Sequence, residues 1–274
     1  ISATDSRMVF GLGKAKKIDS IEIIWPDNKL QTIKNPAINQ HIVIKYVDTL
    51  ENYNFKTLPK KNVFQRDSKL LTFSHKEDTY DDFFNEKLIP YRVSTMGPAV
   101  AKGDLNADGL QDLFVGNASG SPVQIFINTG SSLNSMANSG IEKDSLYEDN
   151  AAVIFDADND GDNDIYVGRG IQEIGISRLY NDALFLNENG KFVKSENNIP
   201  NNFLNASTLT TADYDLDGDM DIFVGNLSEP GNFGKKVTSY ILKNNGTGNF
   251  SVSDEIEILS HVTYSRWEDI NGDN

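Results

Sequence analysis

Short apolar stretches rich in β-branched and aromatic residues recur along most of the chain, and Asn-, Asp- and Gly-rich turns separate them. Apolar runs of this kind, bounded by turn residues, predict β-strands. No long segment has the periodicity of an amphipathic helix, so the sequence predicts an all-β fold. Three runs are nearly identical and end in Gly followed by a polar residue: DLFVGN (112–117), DIYVGR (164–169) and DIFVGN (221–226).

Each of these runs belongs to a unit of about four predicted strands. One apolar stretch precedes each run: PAVAKG (98–103), AAVIF (151–155) and TLTTA (208–212). Further strand-and-turn segments follow: VQIFINTG (123–130), ALFLNENGKF (183–192) and YILKNNGTGNF (240–250). Four-stranded units in series are typical of β-propeller blades. We therefore predict an incomplete propeller of about three blades and a partial fourth.

An acidic motif lies between the first and second predicted strands of every unit. Its copies are DLNADGLQD (104–112), DADNDGDND (156–164) and DYDLDGDMD (213–221), and all three fit D-x-[DN]-x-D-G-x-x-D. A fourth copy, DINGDN, begins at Asp269 and is cut by the chain end. Successive copies start 52, 57 and 56 residues apart. A regular interval of this length indicates a repeat architecture.

The motif has the ligand pattern of a calcium loop. Side chains at positions 1, 3 and 5, a backbone carbonyl at position 7 and a carboxylate at position 9 can surround one hard cation with oxygen. Glycine at position 6 permits the sharp turn that this needs. Zinc would favour His or Cys, and magnesium would keep more water. We expect about three complete Ca²⁺ sites and a truncated fourth, formed by Asp104, Asn106, Asp108, Leu110 and Asp112; Asp156, Asp158, Asp160, Asp162 and Asp164; Asp213, Asp215, Asp217, Asp219 and Asp221; and Asp269, Asn271 and Asp273.

Asp- and Gly-rich loops also occur in EF-hands and in solvated turns. An EF-hand requires a bidentate Glu at position 12 and a following helix. Position 12 is instead Val115, Val167 or Val224, inside a predicted strand, so the loops are not EF-hands. A single Asp- and Gly-rich loop could be a solvated turn, but three copies with the same spacing favour metal binding. The first copy has Asn106 where the others have Asp, so we expect it to bind most weakly.

The N-terminal part of the chain has a different pattern. Alternate positions of residues 21–25 and 42–46 are apolar, and Pro-Asp-Asn at 26–28 predicts a turn between strands. The net charge also changes, from +5 over residues 1–75 to −20 over the remainder. We therefore expect a small antiparallel β unit at 1–47, a linker at 48–89 and the propeller blades at 90–274.

Composition limits the possible partners. At 38% hydrophobic and 24% charged residues the chain can build a core. Its net charge of −15 argues against nucleic acid or an anionic membrane as the main partner. Cysteine is absent, which excludes disulfides and thiolate metal sites. No apolar run approaches the ~18 residues of a membrane-spanning helix.

DLNADGLQDLFVG, DADNDGDNDIYVG and DYDLDGDMDIFVG resemble FG-GAP/VCBS repeats, the calcium-binding blades of integrin-α-like β-propellers. The segment 7–46, with its FGLG, WPD and NQ elements, resembles the end of an ASPIC/UnbV domain. Both matches are incomplete at the chain ends, so we expect a part of a longer protein. The first resemblance implies calcium ligands at the loop positions given above. Residues 73–104 are similar to linkers in large bacterial surface proteins. This similarity implies a surface or periplasmic location beside an outer-membrane nutrient-uptake system.

The sequence therefore predicts a non-catalytic, calcium-stabilised module, extracellular or at the cell surface, that binds a protein or a glycan. No Ser/His/Asp series or isolated carboxylate pair assigns a catalytic site. Two alternatives stay open at this point. One is a calcium-dependent polysaccharide lyase, since some lyases also carry calcium-bearing propellers, and the other is a structural spacer in a long surface protein.

Overall fold

The fold consists almost entirely of antiparallel β-strands, which confirms the predicted all-β class. A computed structural model describes residues 7–47, 50–55, 70–170, 181–257 and 261–272. The chain divides into two compact units, Ile1–Gln65 and Arg66–Asn274.

The N-terminal unit contains a three-stranded sheet with strand order β1-β2-β3. Its strands are β1 (Ser20–Ile24), β2 (Lys29–Lys34) and β3 (Glu51–Asn52). The predicted turn between β1 and β2 is present, with Asn28 at a φ of +61°. The strand predicted over residues 42–46 is wrong, because this segment has no strand pairing and β3 pairs with β2 instead. Side chains hold the segment 42–46 against the sheet: the Tyr46 hydroxyl donates to Asp27 at 2.7 Å, and the Tyr46 ring packs edge-on against Trp25.

The second unit contains three four-stranded sheets, each a simple up-and-down meander, as the sequence predicts. Blade 1 consists of β4 (Val100–Gly103), β5 (Asp112–Val115), β6 (Gln124–Asn128) and β7 (Leu133–Ser135). Blade 2 consists of β8 (Asp149–Phe155), β9 (Asp164–Arg169), β10 (Ala183–Asn187) and β11 (Phe192–Lys194). Blade 3 consists of β12 (Asn205–Ala212), β13 (Asp221–Ser228), β14 (Thr238–Asn244) and β15 (Phe250–Glu257). A short helix, α1 (Asp82–Asn85), precedes blade 1, and a 3₁₀ turn (Ile141–Asp144) precedes blade 2.

The blades pack face to face, with β8 between β4 and β12. One apolar core lies between blades 1 and 2, and a second lies between blades 2 and 3. Strand β9 is buried at every position because both of its faces are covered. Ile165 and Val167 point into the first core and Tyr166 points into the second, as the two-residue period of a strand requires. Such packing explains why the central strands are continuous apolar runs.

The beginning of the fourth unit lies against blade 3. The Val262 N–H donates to the carbonyl of Asn226, and the Trp267 indole N–H donates to the carbonyl of Thr210. Within residues 261–272 the structure assigns no strand, and the three four-stranded sheets do not close into a ring. The predicted partial fourth blade is therefore represented by a packed, unpaired segment.

A buried charged cluster occupies the end of β9 that is remote from the acidic loop. The Arg169 guanidinium, 1% exposed, pairs with Asp144 and Asp149. Its carbon lies 4.6 Å from the centre of the Tyr147 ring. Because all these groups are withdrawn from water, each charge depends on its partner for compensation.

Helices in the described ranges are short turns, and none has the length or apolar character needed to span a membrane.

Candidate metal sites

The three acidic loops connect the first and second strands of their blades, where the sequence places them. All three have the same backbone shape. The glycine at position 6 has a φ of +84°, +95° or +98°, which fulfils the predicted need for a flexible residue. Position 4 is also left-handed, at +58° for Ala107, +59° for Asn159 and +60° for Leu216. Alanine and leucine are unfavourable there, so the loop geometry is not set by local preference alone.

The aspartate at position 1 closes each loop. Its Oδ2 atom accepts the N–H of the loop glycine at 2.7–3.0 Å, in the pairs Asp104–Gly109, Asp156–Gly161 and Asp213–Gly218. A second acceptor role is taken by position 5, whose Oδ1 accepts the N–H of position 7 in every loop. These hydrogen bonds hold the carboxylates of positions 1 and 5 against the loop backbone, although the aspartates at position 5 are exposed and lie outside the groups of carboxylates that converge.

The aspartate at position 9 is a buried bridge in each blade, 0–1% exposed. One carboxylate oxygen of Asp164 accepts the N–H of Ala157 at 2.8 Å, and the other accepts the N–H of Asn187 at 2.8 Å. The position-9 aspartates of the other blades, Asp112 and Asp221, make the same pair of contacts. This residue therefore ties the loop to the end of the third strand, in addition to its predicted role as a ligand.

In the second loop, carboxylate oxygens of Asp156, Asp158 and Asp164 all lie within 4.8 Å of one another. Asp156 Oδ1 and Asp158 Oδ1 are buried and have no hydrogen-bond partner among the described residues. Burial, followed by repulsion from Asp160 and Asp156, raises the pKa of Asp158. Burial also raises the pKa of Asp164, to about 7. The loop therefore concentrates negative charge around one point and can hold a metal ion there.

The third loop brings Asp213, Asp215 and Asp221 together in the same way, again within 4.8 Å. It differs from the second loop because the Lys243 ammonium reaches it, contacting Asp215 and lying 3.1 Å from Asp217 Oδ2. The N–H of Asp219 and, next, the contact with Lys243 lower the pKa of Asp217. Burial raises the pKa of Asp221. This loop can also hold a metal ion, in competition with a neighbouring cation.

The first loop is less acidic. The Asn106 amide donates to Asp108 Oδ2 at 3.0 Å, so a ligand predicted for the metal is bound to another one. Leu110, the predicted carbonyl ligand, donates its N–H to Asp108 Oδ1 at 2.8 Å. The carboxylates that converge within the described residues are those of the second and third loops.

The remaining predicted ligands are those at position 7 of the second and third loops and those of the fourth loop. Asp162 and Asp219 were predicted to contribute backbone carbonyls. The Asp219 side chain accepts the Asn159 amide at 2.7 Å and so connects the second and third loops. In the fourth loop, the Gly272 N–H donates to Asp269 at 2.7 Å and Asn271 is exposed. Asp273 lies outside the described residues.

An asparagine at the end of the third strand links neighbouring loops, and the sequence analysis did not identify it. The Asn187 amide nitrogen lies 3.2 Å from the carbonyl of Asn163 in its own loop and 3.1 Å from the carbonyl of Leu105 in the first loop. In blade 3, Asn244 makes the equivalent contacts with the carbonyls of Met220 and Ala157, at 3.2 and 2.8 Å. The sequence contains one sign of this role, because an Asn ends the third strand of every blade, at positions 128, 187 and 244.

Family comparisons agree with this geometry. The model of the FG-GAP-like repeat matches residues 104–167 and 168–224. The model described as ASPIC and UnbV matches residues 1–51. No curated protein matches the chain. FG-GAP-like repeats indicate a β-propeller-like domain of the extracellular type. The chain therefore carries an N-terminal ASPIC and UnbV segment, followed along the sequence by two FG-GAP-like repeats.

Proposed function

We propose that the acidic loops bind Ca²⁺ and that the bound ions stabilise the blades. The observation that carries this proposal is the second loop, where three aspartates converge and two buried carboxylate oxygens are unpartnered among the described residues. The donors are all oxygen atoms, which suits a hard cation of flexible coordination such as calcium. A bound ion would supply the positive charge that these carboxylates otherwise lack.

The chain's own residues prepare the loop for the ion. Asp156 fixes the turn through Gly161, and Asp164 fixes the loop to the third strand through Asn187. Positive φ at positions 4 and 6 turns the backbone sharply, and the carboxylates of Asp156, Asp158 and Asp164 converge within this turn. Because metal binding to such a loop favours the folded state, the ions contribute to folding stability.

We further propose that the protein is a non-catalytic module, secreted or at the cell surface, that binds a protein or a glycan. FG-GAP-like repeats are typical of extracellular proteins, and extracellular calcium modules work at ~10⁻⁴–10⁻³ M calcium. Loops on a scaffold of packed sheets are common binding surfaces. Association with an outer-membrane nutrient-uptake complex is part of this proposal and rests on the resemblance of residues 73–104 to linkers in bacterial surface proteins.

Thermal unfolding in calcium and in chelator tests the first proposal. At a free calcium concentration 100 times Kd, one site contributes about 2.7 kcal/mol, and a unit of this size gains roughly 2–4 °C per kcal/mol. We expect a melting temperature several degrees higher in calcium, with a smaller gain in magnesium. An equal melting temperature in calcium and chelator would contradict calcium binding.

A pair of variants assigns this stabilisation to the second loop. Asp158→Asn removes one convergent carboxylate and should abolish calcium binding at that site in calorimetric titration. Glu188→Gln makes the same charge change on an exposed turn of the same blade and should bind calcium normally. If both variants lose binding to the same degree, general charge and not the loop would explain the effect.

Pull-down of proteins and glycans in calcium, repeated in chelator, tests the binding role. Incubation with uronate polymers tests the lyase alternative, because lyases leave 4,5-unsaturated products. Formation of such products would overturn the non-catalytic proposal.

A further inference from the structure

Lys243 places a positive charge inside the third loop. It lies on β14, directly before the asparagine that ends this strand. Its ammonium pairs with Asp215 and lies 3.1 Å from Asp217 Oδ2. Both aspartates are predicted calcium ligands, and Asp215 also belongs to the group of converging carboxylates, so the ammonium contacts carboxylates that the ion would use.

The equivalent residue is apolar in the other two blades. The position before the third-strand asparagine is Ile127 in blade 1 and Leu186 in blade 2. Neither side chain can pair with a carboxylate. In the second loop two buried carboxylate oxygens therefore have no partner among the described residues, whereas Asp215 and Asp217 of the third loop have Lys243.

We infer that Lys243 is a built-in cation that competes with calcium for the third loop, an inference that rests on the proposed calcium binding. An ammonium and a calcium ion cannot contact the same carboxylates without strong repulsion at these distances. Lys243 must therefore leave the loop before the ion binds. Its 38% exposure and its flexible four-carbon stem allow this movement into solvent. The third loop consequently binds calcium more weakly than the second, and its aspartates stay paired when calcium is scarce.

Two substitutions separate charge from size. Lys243→Met removes the charge and keeps an unbranched side chain, whereas Lys243→Arg keeps the charge. We expect Lys243→Met to tighten calcium binding at the third loop about tenfold or more, and Lys243→Arg to leave it weak. In chelator, Lys243→Met should melt slightly below the unchanged protein, because the ammonium–carboxylate contacts are lost.

Terbium luminescence excited through aromatic rings is a probe of the third loop. Tyr214 is the second residue of this loop, and Trp267 stacks on it with ring centres 6.1 Å apart. The corresponding residues of the other loops, Leu105 and Ala157, are aliphatic. Displacement of terbium by calcium therefore gives the affinity of the third loop, and calorimetric titration gives that of the others.

The outcomes distinguish this inference from the proposal on which it rests. Equal third-loop affinity in the unchanged protein and in Lys243→Met would overturn the role of Lys243 while calcium binding stands. Tighter binding in Lys243→Arg as well as in Lys243→Met would also overturn it, because the charge would then not matter. Absence of calcium binding at every loop in every variant would overturn both proposals.

Discussion

Replacing Asn187 with alanine tests whether successive loops are joined through this side chain. Its amide nitrogen donates to the carbonyl of Asn163 in the acidic loop of its own blade and to that of Leu105 in the first loop, 82 residues earlier in the chain. Its oxygen accepts the N–H of Gly190 at 2.8 Å in the following turn. Alanine removes all three hydrogen bonds and introduces no new group.

The expected loss in the free energy of unfolding follows from the burial of the Asn187 side chain. Asn187 is 4% exposed, so water does not easily replace the lost donor. A buried acceptor left without a partner costs about 1–3 kcal/mol. With two carbonyls affected, we expect Asn187→Ala to lower the free energy of unfolding by roughly 2–4 kcal/mol. This corresponds to a melting temperature lower by several degrees in a unit of this size.

Asn128→Ala is the matched control. Asn128 makes the corresponding contacts within blade 1, donating to Gln111 at 3.0 Å and accepting from Gly130 at 2.9 Å. Among the described residues it has no contact with a second loop. Denaturant unfolding in saturating calcium should show a loss of about 1 kcal/mol for this variant. Equal losses for Asn187→Ala and Asn128→Ala would refute the idea that the link between loops contributes to stability.

Two further predictions concern backbone conformation and buried charge. Leu216→Asn should raise stability by about 0.5–1 kcal/mol in denaturant unfolding, because asparagine tolerates the left-handed φ of +60° that leucine adopts there; Asn159→Leu at the equivalent position should lower it, and a gain from both would contradict the explanation. Arg169→Met should cost about 3–5 kcal/mol in the same assay, because it leaves Asp149 buried without its cation, whereas Asp144 keeps Lys194 at 3.1 Å. An unchanged midpoint for Arg169→Met would show that these carboxylates are neutral or hydrated in solution.

The sequence predicts the blades well because their signals are local and repeated. Each apolar run such as 164–169 is followed by turn residues, and the acidic motif recurs at nearly constant intervals. Position in the repeat then identifies the strands on either side of the loop. The glycine at position 6 was predictable for the same reason, since the turn requires a positive φ whatever surrounds it.

Contacts between blades were not predictable in this way. Nothing in the sequence near Asn187 shows that its amide meets Leu105, because that contact depends on how two blades pack. Lys243 lies near the end of a strand, where a lysine is typical of a solvated surface, and only the packing of β14 shows that it contacts Asp215. The return strand predicted over 42–46 failed for a related reason, since β3 took the place beside β2.

The three loops show how one backbone can give sites of different character. Their φ values at positions 4 and 6 agree closely, so the loop backbone is nearly the same in all three blades. The charge around the backbone differs between the loops, because Asn106 replaces one carboxylate in the first loop and the Lys243 ammonium contacts the third. The second loop has neither change, and two of its buried carboxylate oxygens have no hydrogen-bond partner among the described residues. If the loop backbone determines which ion binds and the neighbouring charges determine its affinity, the second loop is the first to bind calcium as the free calcium concentration increases. Blade 2 packs against both of its neighbours, so the earliest ion would be held by the blade that contacts the other two.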